Sequence, residues 1–585
     1  MLQIIRKLSD ILPRRDKIRI VILFFMMLGA GILQLVGLGM ILAFISILAD
    51  AETILNHEQL GTLWQLLNIQ DFYGLLIWGS AVLALIFLIK SLYLIFYNYI
   101  LSRFAHNKFR NIATELFASY MFLPYSFHLQ NNSATLIRNV TVETNMLLKF
   151  LLIPMLSILM ESVMIITVLI FLFIVEPTVT IMAALSIGLA GFLLIKLLKK
   201  YEQAYGRKAQ KSRGEVIQYV NEGLGGIKEI KVLNRQQYFI NKLRSAMEVL
   251  KQAETYNETS KESFRPAIEL IAVGGMVTMA LIMAIQGRGA EDIIPVLTLF
   301  GVGAFQLLPS FAKITNQYSK LDYHSHTIIP IHEDLMKVSR KVRTNLKKAS
   351  FETLPLNQAI KLDKVGFAYS DDSKPVLKNI SLSIPKGAAV GIVGKSGAGK
   401  TTLVDLILGL FEPTNGEILV DGKDIKENLI AWQSNVGYIP QIIYLADDTV
   451  RKNIAFGLND EEIDEEKLIK AAEMAQLIEV IDELPKGFET LIGENGLRLS
   501  GGQRQRIGIA RALYHDPDVL VMDEATSALD NETEQYIIKS IERLRGERTI
   551  IIIAHRLTTV QNCDQLYLLE DGKVLNSGTY KELYG

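Results

Sequence analysis

A membrane bundle of six α-helices with long helical extensions, fused to a C-terminal α/β domain, is the fold class that this 585-residue sequence predicts. Three observations predict it. Six apolar segments fall within the first 320 positions, each close to the roughly 20 residues a helix needs to cross a bilayer. After Phe351 the pattern changes to short strands alternating with helices, the mark of an α/β domain. An apolar strand at 389–393 then runs into a glycine-rich loop and a helix, an arrangement suited to holding phosphate.

The six segments lie near 18–48, 74–100, 147–175, 178–198, 266–287 and 292–315. The first is too long for the roughly 7–15-residue core of a signal peptide. Arg6, Lys7, Arg14, Arg15, Lys17 and Arg19 surround its start, and Lys and Arg mark the cytoplasmic side, so a cytoplasmic N-terminus is expected. The loops alternate in agreement. Residues 50–74 contain Asp50, Glu52, Glu58 and Asp71 with no Lys or Arg and read as external. Leu60, Leu63, Trp64 and Leu67 in that loop predict a short amphipathic helix over about 52–70. A tight turn at Glu176 and Pro177 joins the third and fourth segments. The excursions 101–146 and 199–265 are polar, basic and helically periodic, and read as cytoplasmic.

The expected domains are a transmembrane domain at 1–335, a linker at 336–357 and a nucleotide-binding domain at 358–585. Lys plus Arg and Asp plus Glu number 61 each, a balance that argues against nucleic acid as a partner. Mean hydropathy is +0.26, as an average over a membrane half and a soluble half gives. The single cysteine, Cys563, rules out a disulfide within the chain, which suits a reducing compartment for the soluble half.

Gly394-Lys395-Ser396-Gly397-Ala398-Gly399-Lys400-Thr401 fits G-x-x-x-x-G-K-[ST] between a strand and a helix. Glycines let backbone amides turn inward around phosphate oxygens, and the helix start adds positive potential. Lys400 is expected on the β and γ phosphates and the Thr401 hydroxyl on Mg²⁺, with Thr402 completing the nucleotide-binding set. A glycine-rich turn that only packs a helix on a sheet is the plainer alternative. Val519-Leu520-Val521-Met522 has the length of a buried strand and ends in Asp523 and Glu524. Asp523 is expected to hold Mg²⁺, directly or through water, and Glu524 to polarise the attacking water. An exposed acidic strand end is the alternative there.

Leu499-Ser500-Gly501-Gly502-Gln503 resembles the signature of ABC ATPases. The remaining family elements follow in order. The resemblance puts Tyr369 under the adenine and makes Gln441, after Pro440, the Q-loop residue that reaches both the metal and the reaction. It makes Ser527-Ala528-Leu529-Asp530 the D-loop, and His555 the switch histidine. It also implies ATP and Mg²⁺ as cofactors, and a head-to-tail dimer in which Ser500, Gly501, Gly502 and Gln503 of one chain close the other's site. A second copy of the chain is therefore the expected partner.

Six spans ahead of such an ATPase resemble the ABC exporter arrangement, in which stretches like 125–130 and 223–231 are coupling helices. The whole chain looks most like the bacterial lipid-linked oligosaccharide flippases of that class. The marks are the acidic external helix, Gly493-Glu494-Asn495-Gly496, Leu308-Pro309-Ser310 and Tyr323-His324-Ser325. The resemblance implies a multi-pass protein of the bacterial inner membrane with its ATPase domain cytoplasmic, moving a lipid-linked glycan to the outer leaflet. A lipid A, drug or peptide exporter is the alternative cargo class, and an ATP-gated channel or regulatory membrane ATPase the alternative of another kind. Leader-cleaving peptide secretion is disfavoured, since the first span begins near Ile18 and the cysteine lies at 563.

A pyrophosphate-linked substrate calls for cations near the cytoplasmic leaflet. Lys90, about 25 Å along its helix from the external end, and Arg265 are the candidates; snorkelling of long cationic side chains explains both positions equally well. Gln306 stands where the flippases carry a further basic residue, with Lys313 nearby. Glu161 falls near mid-membrane, where a carboxylate is costly; protonation in a structural role is one reading. Glu269 is spaced to pair with Arg265 on one helix face.

Overall fold

The computed structural model describes residues 2–49, 71–175, 177–287, 289–325, 328–345, 354–370, 374–493, 496, 499–523, 543–554 and 556–584. The external helix expected at 52–70, Glu524, the D-loop and His555 lie outside the described residues, as do the side chains of Arg265 and Gln306. The chain divides into two compact units. One comprises Met1–Leu123 with Asn131–Val342, the other Pro124–Gln130 with Arg343–Gly585.

The first unit is helical. A short amphipathic α1 (Leu2–Ile11) precedes α2 (Arg14–Ala49) and α3 (Phe72–Met121). Asp71 caps α3, its Oδ1 accepting the Gly74 amide at 2.9 Å, which satisfies one of the amides a helix start leaves unpaired. The chain turns through α4 (Tyr125–Gln130), assigned to the second unit, into α5 (Ser133–Arg138). Two π-helical turns, Asn139–Glu143 and Leu148–Leu152, lead into α6 (Ile153–Val175). There follow α7 (Pro177–Gly225), the short α8 (Ile227–Val232), α9 (Gln236–Ile285), α10 (Ala290–Tyr323) and α11 (Ile328–Asn345). Of the six apolar segments read from the sequence, 18–48, 74–100, 178–198 and 292–315 each fall within one long helix, whereas 147–175 begins one residue before the second π-helical turn and continues through α6, and 266–287 runs two residues past the end of α9. Among the described residues, Arg14–Ile41, Phe72–Met121 and Ser133–Ile174 are long and apolar enough to cross a membrane.

Along α3 the side chains of Ile77, Leu85, Leu88, Leu92 and Ile95 are exposed. Leaving such side chains in water forgoes about 1.5–3 kcal/mol each, so the stripe belongs against lipid. The opposing interior is built by Leu38, Ile165, Val168, Leu172 and Leu307, from α2, α6 and α10. Close helix approach needs a missing side chain at Gly206, where a Cβ would lie 2.3 Å from the Tyr323 carbonyl oxygen. Beside it His324 is buried and stacked on Phe150, ring centroids 3.9 Å apart.

The second unit holds two sheets. β1 (Ala359–Phe367), β2 (Leu377–Pro385), β4 (Asn415–Val420) and β5 (Lys423–Asp424) form an antiparallel sheet in the order β2-β1-β4-β5. The other runs β10-β9-β3-β8-β7-β6. Its strands are β3 (Ala389–Gly394), β6 (Val436–Ile439), β7 (Val519–Asp523), β8 (Thr549–Ile553), β9 (Gln565–Glu570) and β10 (Lys573–Gly578). All its pairings are parallel except β9 with β10. Strand side chains alternate between faces, and the burial follows that period. Val393, Leu520, Met522, Ile550 and Ile552 pack with Leu468, Ala471 and Ala472 of α13 (Glu465–Met474) and Ile507, Ile509 and Ala510 of α14 (Gly501–Tyr514). Val390, Ile392, Val519, Val521, Ile551 and Ile553 pack on the other face, with Leu403, Val404 and Ile407 of α12 (Lys400–Ile407) and the antiparallel sheet. A sheet covered on both faces explains why these strands read as unbroken apolar runs.

Candidate functional site

The carboxyl ends of the parallel strands collect most of the residues singled out from the sequence. β3 ends at Gly394, and residues 395–399 form the loop that starts α12. Gly397 and Gly399 have φ of +82° and +98°, values that favour glycine. Lys400 is buried, and its Nζ donates to the Gly394 and Lys395 carbonyl oxygens at 2.9 and 3.1 Å. The loop thus wraps an ammonium group. Thr401 is exposed at the first turn of α12.

Tyr369 shares a 2.9 Å hydrogen bond with Thr402 through its hydroxyl. Its ring stands edge-on to Phe367 and Phe411, at 5.1 and 5.6 Å between centroids, and the residue is 46 % exposed. Those contacts fix the ring beside the phosphate loop and leave part of it open, the geometry of a stacking platform. Phe411 also meets Tyr125 of α4, centroids 5.6 Å apart, within the same unit.

Asp523 ends β7 and is buried, and Gln441 follows β6 on the surface. Both strands lie on one side of β3 in the sheet order β3-β8-β7-β6, which lines their tips along one edge of the phosphate loop. Asp405, on α12, belongs to no motif of the sequence. Burial, then the charge of Asp523, raises its carboxyl to about 6. Burial first and the same two carboxylates next keep the Tyr438 phenol neutral, well above its ordinary range. An acid whose folded value exceeds its unfolded one loses stabilising protonation as pH climbs between the two. Asp405→Asn is therefore expected to raise the melting temperature more at about pH 7 than at about pH 4.5. Equal increments at both pH values, measured by thermal unfolding of the full chain, would sink this account.

Ser500, Gly501, Gly502 and Gln503 sit at the start of α14 rather than at a strand tip. Ser500 Oγ accepts the Gln503 amide at 3.2 Å, and Gln503 Oε1 accepts the Ser500 amide at 2.9 Å, a reciprocal cap. Cys563 is buried, its thiol pushed up to about 12 chiefly by that burial, so it is chemically quiet.

In the helical unit, Glu161 is 8 % exposed and is held by Lys313 Nζ, 2.7 Å from its Oε1. Lys90 lies 5.1 Å from the Phe87 ring centroid. The expected pairing of Glu269 with Arg265 lies outside the described side chains.

Residues 377–527 match the family described as ABC transporter, and residues 17–303 match the ABC transporter transmembrane region. An ATP-dependent lipid A-core flippase of Cupriavidus pinatubonensis is 31 % identical over 519 residues, which are 88 % of this chain and 86 % of the relative. This chain belongs to the ABC exporter family. The ATP-dependent lipid A-core flippase of Haemophilus influenzae is 30 % identical over 83 % of this chain and 82 % of its own length. The structure of a bacterial Atm1-family ABC exporter with ATP bound aligns with a TM-score of 0.75 at 24 % identity, covering 98 % of this chain and 96 % of that one. As an ABC exporter the chain is a multi-pass membrane protein that binds ATP and couples its hydrolysis to transport. The exporter fold pairs the helical transmembrane region with the strand-rich ATPase domain described above.

Proposed function

We propose that this exporter is an ATP-driven flippase that carries an amphipathic, lipid-linked glycan from the inner to the outer leaflet of the bacterial inner membrane. The observation that carries the reading is near-full-length similarity to proteins named as flippases, together with an unbroken series of ATPase motifs. Within it, lipid-linked oligosaccharide is the cargo we favour on Leu308-Pro309-Ser310 and Tyr323-His324-Ser325. A lipid A-core type cargo is the second reading, favoured by the names of the relatives. Both cargoes are phosphorylated glycans on an apolar anchor, so one transport route suits either.

In the proposed ATP site the phosphate loop at 394–401 and Lys400 bind the phosphates, Thr402 borders them, and Tyr369 carries the adenine. Thr401, Asp523 and Gln441 are the hard oxygen donors that suit Mg²⁺, which when bound neutralises charge on the phosphate oxygens. Glu524 orients and deprotonates the attacking water, with His555 and Gln441 sensing the γ phosphate. Ser500, Gly501, Gly502 and Gln503 of a second copy close the site, which makes a homodimer the working unit. The division we propose is a transmembrane domain at 1–335, a linker at 336–357 and a nucleotide-binding domain at 358–585, with the N-terminus and ATPase domain cytoplasmic.

The deciding experiment reconstitutes the full chain in proteoliposomes with a polyprenyl-pyrophosphate glycan or with a lipid A-core lipid. Movement of the first to the outer leaflet, dependent on ATP, supports the favoured cargo; movement of the second alone replaces it, and movement of neither removes the flippase reading. With Lys90 and Arg265 both changed to Ala, translocation is expected to fall several-fold more than basal ATPase. Equal losses would assign these two cations to folding.

A further inference from the structure

Between α5 and α7 lies a cavity of about 430 Å³ that neither the ATP site nor the apolar spans use. Asn132 and Arg138 line it from the α5 side, and Arg207, Gln210, Lys211 and Glu215 from α7. The α7 positions follow the i, i+3, i+4, i+8 spacing of a single helix face. Gly214 lies on that face too. A Cβ there would be 2.9 Å from Arg138 Nη1, so the bare backbone gives the guanidinium room against α7.

The lining carries three cations and one carboxylate, and two of its ion pairs are long. Lys211 Nζ is 3.8 Å from Glu215 Oε1, and Arg138 Nε is 3.6 Å from Glu143 Oε1. Both distances exceed a hydrogen bond, and Arg138 Nε is buried with no hydrogen-bond partner. With Glu143 counted, three cations stand against two carboxylates, and the cations and amide donors converge on one concave surface. Its volume lies within the range of small-molecule sites, roughly 300–1,000 Å³.

We propose that this groove binds a soluble phosphate-ester or pyrophosphate anion of metabolite size, at a site separate from the ATP-binding loop. Guanidinium and ammonium groups with flanking amide donors complement phosphate oxygens. Distance along α7 separates a soluble ligand from a lipid headgroup. The apolar part of α7 ends near residue 198, so at about 1.5 Å per residue the groove lies about 13–30 Å beyond it. The headgroup layer extends only about 5–8 Å beyond the hydrocarbon on each side. A ligand joining α5 to α7 favours the conformation in which both contribute contacts, so occupancy regulates transport instead of supplying cargo.

The test uses the full chain in phosphatidylcholine nanodiscs, carrying Lys400→Ala to disable the ATP site, with inorganic pyrophosphate as the probe. Calorimetry is expected to show saturable binding, and thermal unfolding a matching stabilisation. Arg207 and Lys211 are exposed, so Arg207→Gln with Lys211→Gln should fold normally and weaken binding at least about tenfold, as loss of two charge-assisted contacts predicts. Arg207→Lys with Lys211→Arg should retain it. Absence of pyrophosphate binding, or equal binding after both charges are removed, overturns the site. Nanodiscs containing phosphatidic acid form the second arm. If the Gln substitutions alter stability only there, with the response to pyrophosphate unchanged, the anion is a lipid headgroup and the soluble assignment fails.

Discussion

Glu524→Gln is expected to slow ATP turnover by about 10²–10⁴-fold, the range a positioned general base supplies, while leaving ATP binding intact. Glutamine keeps the size and one oxygen of glutamate but cannot take a proton from the attacking water. The groups proposed to hold the nucleotide are elsewhere: Lys400 within the loop that binds it at 2.9 and 3.1 Å, and Tyr369 tied to Thr402 at 2.9 Å. Equilibrium binding of labelled ATP and single-turnover hydrolysis separate the two steps. Lys400→Ala provides the converse, with binding itself lost. Hydrolysis at the parent rate in the Gln variant would remove Glu524 from the role of base.

Lys313→Ala is expected to destabilise the helical unit by about 1–3 kcal/mol, because it leaves a buried carboxylate without its cation. The stranded group is Glu161, 8 % exposed and the sole ionisable residue of α6. Glu161→Gln should cost much less. Lys313 has a side chain 66 % exposed and lies two residues from the end of the 292–315 segment, where a long cationic side chain can reach the membrane interface when its partner is lost. The double variant should recover most of the loss, which a double-mutant cycle on thermal unfolding in nanodiscs measures. Equal destabilisation by the two single variants would contradict this asymmetry.

Legibility followed the range of the interaction. The strands around Ala389 and Val519 were readable because every residue along them meets apolar neighbours, and the phosphate loop because its geometry depends on eight consecutive residues. Glu161 stood out as a costly carboxylate, but its partner is 152 positions away, and no local spacing couples two different helices. Asp405 was hidden for a similar reason. A single carboxylate in Leu403-Val404-Asp405-Leu406 reads as a solvent-facing turn, and only the sheet brings Asp523 behind it. In the joint after Met121, α5 and the two π-helical turns had no clear signal because the same residues continue a plain helical periodicity. Gly214 looked like any small residue until Arg138 was placed across from it.

The reciprocal cap at Ser500 and Gln503 bears on how fast two chains can close around ATP. In that cap the Ser500 oxygen accepts from an amide, and a hydroxyl that accepts keeps its own proton to donate. On the proposed two-chain site, a γ phosphate arriving from the partner meets a donor already oriented, and α14 does not unravel to offer it. The ordering entropy of that turn is spent when the chain folds, not at each encounter. Closure should then proceed as the meeting of two rigid surfaces, limited by how quickly whole domains travel.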